Sequence, residues 1–226
     1  MPYFTSQTLD FLRELAANNN REWFRDNRSA YERLVREPAL ALIEEMGPRL
    51  AGISPHFRAV ARRTGGSLMR VYRDTRYTRD KTPYKTNIGI HFRHEQGRDI
   101  HSPGYYLHID PWCVFVSVGI WRPDSRTLGR IRERLTERPD AWIGARDDPV
   151  FRRFYRLTEP ALKRAPRGYR IDHPLIEDLR RKSFNAVTDL GHEDALSPEF
   201  PDILCERFHA ATPFLRFLCA ALDLPM

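Results

Sequence analysis

The sequence predicts an α+β fold, a single domain over residues 1–226 in which helices pack mainly on one face of an antiparallel sheet. Three observations predict this. Apolar residues recur at helical spacing near the N-terminus, alternate with polar residues through the middle of the chain, and return to helical spacing afterwards. No repeat, low-complexity tract or Ser/Gly-rich linker divides the chain, which favours one domain over two.

The first quarter of the chain is predicted to be helical. Residues 6–18 carry leucines on one face, and Asn20 can cap the short turn that follows. A longer helix is predicted over about 28–50, because its apolar residues form one stripe. Pro38 should kink this helix or begin a new one, and Gly47-Pro48 is a point at which it can end early.

The period then changes to that of strands. Residues 67–72 are predicted to form a strand, and the charged stretch 73–85 a loop. Residues 86–93 alternate between apolar and polar positions. Residues 104–110 and 112–121 alternate in the same way around a proline turn, which predicts a hairpin.

The last hundred residues are mostly helical in pattern, with one more strand. The predicted elements, in order, are helices at 124–137 and 139–145, a helical turn at 148–155, a loop or short strand at 157–172, a short helix at 174–181, a strand at 182–189, and a C-terminal helix from Pro198 bent by Pro213.

Composition excludes several classes of protein. No apolar run approaches the ~18 residues of a membrane span, and the first residues lack the pattern of a signal peptide. The cysteines are too few and scattered for a disulfide framework, so a reduced, cytoplasmic location is expected: Cys113, Cys205 and Cys219. The sequence leaves the oligomeric state open.

Positive charge is concentrated in two segments. The net charge is +7, and residues 62–85 hold eight Arg or Lys against two Asp. Residues 152–170 hold seven against one Glu, so each segment carries +6. If the two segments meet in space they form an anion-attracting surface; otherwise they are two solvated basic faces.

The first basic segment contains the main candidate binding site. Guanidinium, ammonium and hydroxyl groups are the donors that a phosphate or carboxylate requires. The candidate anion-binding residues are Arg70, Arg73, Lys81, Lys85 and Arg167. Asp74 and Asp80 offer an alternative, in which they pair with Arg73 and Lys81 and the loop is only held together by charge.

Candidate acid–base residues are few. Tyr106 and His108 share one face of a predicted strand and suit proton transfer near neutral pH, although a histidine in such a place can equally serve the edge of a core. His173 is a second candidate, beside Asp172, which can either orient the histidine or cap the helix begun by Pro174.

No cofactor or metal motif is present. The chain has no GxxxxGK[ST], HExxH, CxxC or GxSxG sequence, so no cofactor and no metal are predicted. Tyrosines interleaved with the basic residues suit stacking on nucleic-acid bases, but no sequence signature of a nucleic-acid-binding fold supports this. Three functions therefore remain: a binder of a small anionic ligand, an enzyme with a Tyr/His pair beside that anion site, and a nucleic-acid-binding protein.

Several stretches together resemble a known family. These are NNNREWFRDNRSAY, RVYRDTRYTRDKTPYKTNIGIHF, GYYLHIDP and RAPRGYRIDHP, of which DKTPYKT is the most specific. In this order they resemble the bacterial and fungal proteins grouped as domain of unknown function 2461, from about residue 4 to 222. The family more often has Ser-Pro where this chain has Thr82-Pro83, and a glycine run where it has Ser117-Val118-Gly119. The resemblance implies one domain and no established activity, substrate, cofactor or catalytic residue.

Overall fold

One antiparallel sheet organises the computed structural model, which describes residues 1–97, 101–159 and 162–226. Its strands, in the order β1-β2-β3-β4-β6-β5 across the sheet, are β1 Phe57–Arg58, β2 Ile88–His94, β3 Gly104–Ile109, β4 Val114–Ile120, β5 Arg156–Leu157 and β6 Phe184–Leu190. All neighbouring strands pair antiparallel. The predicted α+β fold and the predicted hairpin of β3 and β4 are confirmed.

Helices lie before, between and after the strands in the sequence. They are α1 Ser6–Ala17, α2 Arg21–Asp26, α3 Arg28–Tyr31, α4 Glu37–Ile53, α5 Ser125–Glu137, α6 Pro139–Arg146, α7 Pro149–Phe154, α8 Ile176–Leu179, α9 His192–Ala195, α10 Phe200–Ala210 and α11 Thr212–Ala221. Pro213 begins α11 rather than bending one long helix. No helix among the described residues is both long and apolar enough to cross a membrane.

A π-helical turn, Glu32–Arg36, joins α3 to α4 just before Pro38. The Glu37 amide bonds the Glu32 carbonyl, five residues back, so the helix widens where proline lacks a donor and needs room. The helix does not end at Gly47-Pro48 but runs on to Ile53. The apolar stripe continues there into the core, with Leu50 fully buried, and this burial outweighs the cost of an internal proline.

The predicted strand over 67–72 is wrong as a continuous element. Residues 67–69 pair with the outer side of β2, where the Met69 amide bonds the Gly89 carbonyl at 2.9 Å. The chain then turns, and 71–73 pair with 83–85 instead, including a bridge between Tyr72 and Tyr84. One extended stretch thus serves two partners, which alternation of residue types cannot predict.

The two faces of the sheet have different roles. Ile90, Leu107 and Val116 lie on the face that packs against the helices and are fully buried. Tyr105 on this face stacks on Phe208 of α10 with ring centroids 4.3 Å apart. The intervening positions of β2, β3, β4 and β6 point to the other face.

Gly119 allows β4 and β6 to approach each other closely. Its φ is +115°, and a Cβ there would lie 2.1 Å from the Phe184 carbonyl oxygen. A side chain at this position therefore meets backbone, in a conformation that L residues rarely adopt.

Asn19 connects the N-terminal helices to the charged hairpin. Its Nδ2 donates to the Tyr84 carbonyl at 2.9 Å, and its Oδ1 accepts from the Tyr84 amide at 3.0 Å. The Tyr84 ring stacks on Phe24 of α2 with centroids 4.0 Å apart. One asparagine thus satisfies both backbone groups of a buried residue that has no strand partner on that side.

We expect Asn19→Ala to destabilise the protein by about 2 kcal/mol, because it leaves two backbone groups of a buried residue unsatisfied. Asn18→Ala is the matched control, since Asn18 bonds only the exposed end of α1. Urea unfolding of both variants measures the difference. Equal stability losses in the two variants would show that the hydrogen bonds between Asn19 and Tyr84 make no specific contribution to stability.

Candidate functional site

A cavity of about 460 Å³ lies on the sheet face turned away from the helices. Its base is one row of paired residues across four strands: His91, Tyr106, Ser117 and Val187. The strand alternation that buries Ile90 and Leu107 under the helices turns these residues to the opposite side. The row carries more polar groups than the helical face, as a ligand site requires.

Lys85 brings a positive charge to this cavity. Its backbone amide bonds the Val71 carbonyl at 2.7 Å, which fixes it at the end of the hairpin held by Asn19. Burial, and then the like charge of Arg70, lower the pKa of the Lys85 ammonium. Within the described ranges no carboxylate forms an ion pair with Lys85, so its charge is not neutralised by a neighbour.

Three side chains on β3 and the turn after it form a hydrogen-bonded chain. Asp110 Oδ2 lies 2.9 Å from His108 Nε2, and His108 Nδ1 lies 3.1 Å from Tyr106 Oη. Asn87 Nδ2 also approaches His108 Nδ1, at 3.3 Å. The His108 ring stacks on Phe115 with centroids 4.6 Å apart, which fixes the plane of the imidazole.

The carboxylate of this chain is held in its ionised form. Asp110 Oδ1 accepts from the backbone amides of Trp112 and Cys113 at 2.7 and 2.8 Å. Burial acts to raise the pKa of Asp110, but the hydrogen bonds from His108 and the two amides outweigh it, and the pKa lies below its usual range.

Tyr106 is the member of the chain that lines the cavity. Burial raises the pKa of Tyr106 to about 12, against the opposing effect of its hydrogen bond with Asn87. Gly89 on β2 leaves the room that the hydroxyl needs, since a Cβ there would lie 3.0 Å from Tyr106 Oη.

The far wall of the cavity is fixed by a second polar network. Buried Asp178 bonds Arg181 Nε at 3.0 Å, and Arg181 donates to the Thr158 carbonyl. The Thr158 hydroxyl donates to Asn185 Oδ1 at 3.0 Å, and Asn185 Nδ2 donates to Ser117 Oγ at 3.3 Å. The side chain of Asn185 on β6 is therefore held between Ser117 of β4 and Thr158, the residue after β5.

A second, more open cavity of about 710 Å³ adjoins the first. The two share Trp121 and Asn185, and Arg122 and Lys182 line the second. The Trp121 ring is 46% exposed, which leaves it accessible at the boundary between the cavities.

The structure distributes the predicted anion-binding residues unevenly. Arg73 pairs with Asp80 and Thr82, and Lys81 Nζ donates to the Thr75 carbonyl at 2.7 Å. The Arg73–Asp80 pair agrees with the alternative in which the loop is held together by charge, whereas Asp74 pairs with Arg76 instead.

Lys85 lines the cavity, whereas Arg70 is exposed and is not among its lining residues, and acts on Lys85 only through its like charge. Arg167 is exposed, in the loop between β5 and α8, and does not line the cavity. The two basic segments reach opposite edges of the sheet: residues 67–69 lie beside β2, and Arg156 lies in β5 at the other edge.

The candidate acid–base residues are likewise separated. Tyr106 and His108 are in contact, as their shared strand face indicates. His173 lies outside the cavity, where its Nδ1 accepts from the Leu175 amide at 3.0 Å. Asp172 neither orients His173 nor caps α8, because both of its oxygens bond Arg170.

One set of potential metal ligands is present in the described part of the chain. Ligand atoms of His108, Asp110 and Cys113 lie within 4.8 Å of one another. The fit is poor, because burial and the nearby Asp110 carboxylate raise the pKa of the Cys113 thiol, and a metal needs the thiolate. Both Asp110 oxygens already accept hydrogen bonds.

Sequence reasoning overlooked the partners of the Tyr106–His108 pair. Asp110 follows His108 by two positions on the same face, and Asn87 immediately precedes β2, whose first residue pairs with Ile109. Both signals were present in the alternation. That Lys85 joins them depends on the hairpin pairing of 71–73 with 83–85, which has no local signal.

Comparison with known proteins identifies a family and nothing further. The model of the family described as conserved hypothetical protein (DUF2461) matches residues 7–217. No curated protein matches the chain. No solved structure matches it either.

We expect Lys85→Met to raise the free energy of unfolding by about 1 kcal/mol, because it removes a half-buried charge that lacks a counter-ion while keeping the length of the side chain. Arg73→Met is expected to lower it, because it breaks the contacts with Asp80 and Thr82. Thermal unfolding of both variants checks the opposite signs. A loss of stability in Lys85→Met would mean that Lys85 supports the fold.

Proposed function

The chain belongs to the DUF2461 family, and from the geometry of its cavity we propose that it binds a small anionic ligand, a carboxylate or phosphate ester, whose charged group pairs with Lys85. The observation that carries the proposal is a lysine that lines a cavity, with the pKa of its ammonium lowered by burial and no ion-pair partner among the described residues. A charge in that position is costly unless a ligand compensates it.

The contacts of other basic residues in the charged hairpin favour Lys85 as the anion-binding residue. Arg73 and Arg76 are engaged with carboxylates of their own loop, so they keep the hairpin in shape and leave anion binding to Lys85. The ion pairs of the Arg/Lys-rich loop then hold the backbone that places Lys85 at the cavity.

The apolar part of the lining defines the rest of the ligand. Met69, Phe115 and Trp121 line the cavity together with the polar row. Such a mixture suits a ligand with an aromatic or short aliphatic body, since these side chains contribute affinity by removing apolar surface from water.

Nucleic-acid binding receives no comparable support. The strand order separates the two basic segments by β2, β3, β4 and β6, a distance of about 20–25 Å at the usual spacing of strands. Affinity that falls steeply with salt would be the sign of phosphate-backbone binding.

A thermal-shift panel tests the proposal. Inorganic phosphate, phenyl phosphate, benzoate and acetate are added to the wild type, Lys85→Met and Lys81→Met. At about 100 times its dissociation constant, a bound ligand stabilises the folded state by about 2.7 kcal/mol. We expect a shift with an aromatic anion in the wild type and in Lys81→Met, and its loss in Lys85→Met.

Lys81→Met is the matched control because it removes an equal charge from the same loop, outside the cavity. A shift that survives in Lys85→Met, or disappears equally in both variants, would overturn the role of Lys85. No shift with any of the aromatic anions would count against the ligand class.

Anion affinity should also depend on pH. The ammonium form of Lys85 binds the anion, so affinity is retained at low pH and is lost as the pH rises through the pKa of Lys85, which lies below that of an ordinary lysine. Calorimetric titration with phenyl phosphate from pH 7 to pH 10 measures this. Affinity that stays constant until ordinary lysines titrate would contradict the expectation.

A further inference from the structure

A chain of three side chains ends inside the cavity. Asp110 bonds His108 at 2.9 Å, and His108 lies 3.1 Å from the hydroxyl of Tyr106. Of these three, Tyr106 lines the cavity. An orienting carboxylate, an imidazole and a terminal hydroxyl in this order form the arrangement that activates an oxygen nucleophile.

The positions of the protons follow from the partners. An ionised carboxylate only accepts hydrogen bonds, so Nε2 of His108 carries the proton that faces Asp110. In the neutral ring Nδ1 is then an acceptor. Tyr106 Oη donates to Nδ1 at 3.1 Å, closer than the Asn87 Nδ2 donor at 3.3 Å, so the basic nitrogen of His108 lies against the hydroxyl of Tyr106.

We propose that Tyr106 is a nucleophile, that His108 takes its proton and that Asp110 orients the imidazole, on a substrate whose anionic group pairs with Lys85. The proposal rests on the function proposed above, because the same cavity holds the substrate. The substrate class is a small carboxylate- or phosphate-bearing molecule with an activated acyl, phosphoryl or sulfonyl centre.

The electrostatics explain why Tyr106 needs His108. With its pKa raised to about 12, Tyr106 is scarcely ionised at neutral pH and does not act as a free tyrosinate. Transfer of the proton to Nδ1 during attack avoids that state, and the Asp110 carboxylate stabilises the resulting imidazolium. Lys85, in the same cavity, holds the anionic group of the substrate and so positions the reacting centre near Tyr106.

The step is balanced within the chain. A bond forms between Tyr106 Oη and the electrophilic atom, the bond to the leaving group breaks with its electron pair, and the hydroxyl proton moves to His108 Nδ1. The imidazolium then protonates the leaving group, or water once the leaving group has departed. No oxidant or reductant is needed.

The test uses para-(fluorosulfonyl)benzoate, in which a carboxylate lies opposite a sulfonyl fluoride. Attack by Tyr106 Oη forms an O–S bond, releases fluoride and transfers the proton to His108. Tyr77 is the internal control, since it is 93% exposed and carries no histidine partner in the described structure. Mass spectrometry of digested protein gives the labelling rate of each tyrosine.

We expect Tyr106 to be labelled faster than Tyr77 despite its burial. His108→Gln should slow the labelling of Tyr106 by about 10²-fold, the usual contribution of general-base catalysis. Asp110→Asn should also slow this labelling, because the NH2 group of the new side chain can donate to His108 Nε2 and so favour the wrong imidazole tautomer. The oxygen of the same side chain can still accept from the backbone amides of Trp112 and Cys113. Neither change should alter the labelling of Tyr77.

The pH profile separates an activated tyrosine from one that is only accessible. Labelling of Tyr106 should reach its full rate at a lower pH than labelling of Tyr77, because His108 rather than solvent hydroxide takes the proton from Tyr106. Identical profiles, or a Tyr106 rate that His108→Gln leaves unchanged, would overturn the proposal and leave the three side chains a structural network only.

Unreactive para-sulfamoylbenzoate separates this proposal from the one before it. Suppose that this compound shifts the melting temperature, that the shift is lost in Lys85→Met, and that Tyr106 is not labelled. The proposed anion binding is then supported, and the proposed nucleophilic role of Tyr106 is refuted. If Tyr106 is labelled equally by the carboxylate probe and by benzenesulfonyl fluoride, then the activated tyrosine stands and the role of Lys85 falls.

Discussion

The pair of hydrogen bonds between the Asn19 side chain and the backbone of Tyr84 is the constraint on which the cavity depends. Two hydrogen bonds of 2.9 and 3.0 Å attach the charged hairpin to the first helices, and the stacked Phe24 holds the tyrosine ring from the same side. The next residue, Lys85, is thereby fixed at the edge of the cavity. At its other end the hairpin is attached to the sheet, where residues 67–69 pair with β2.

The two faces of the sheet carry different kinds of side chain. Residues such as Tyr105 and Leu107 bury apolar surface under the helices, while Tyr106 and His108, one position away, carry the hydrogen-bonded chain. Because strand alternation is strict, packing of one face fixes the direction of every side chain on the other. The helical core thus orients a polar row that it never touches.

The fold was predictable wherever the signal was local. Alternation located β3 and β4, and Asn20 does begin α2, with its side chain accepting from the Trp23 amide at 2.9 Å. The site was predictable in part, since Tyr106 and His108 share a strand face by sequence alone. The neighbourhood of Lys85 was not, because it depends on pairings between residues far apart in the chain and on which cations the loop's own carboxylates engage.

The order of the strands also bears on how the cavity is assembled during folding. β2, β3 and β4 form from contacts between neighbours in sequence, whereas β6 must return across residues 121–183 before it pairs with β4. Closing so long a loop is slow compared with forming hairpins. Asn185 and Val187 of β6 line the cavity, so its wall is complete only after this late step. A ligand that requires the complete cavity would slow unfolding and leave the folding rate unchanged, and the lifetime of the native state would then be the sensitive measure of occupancy.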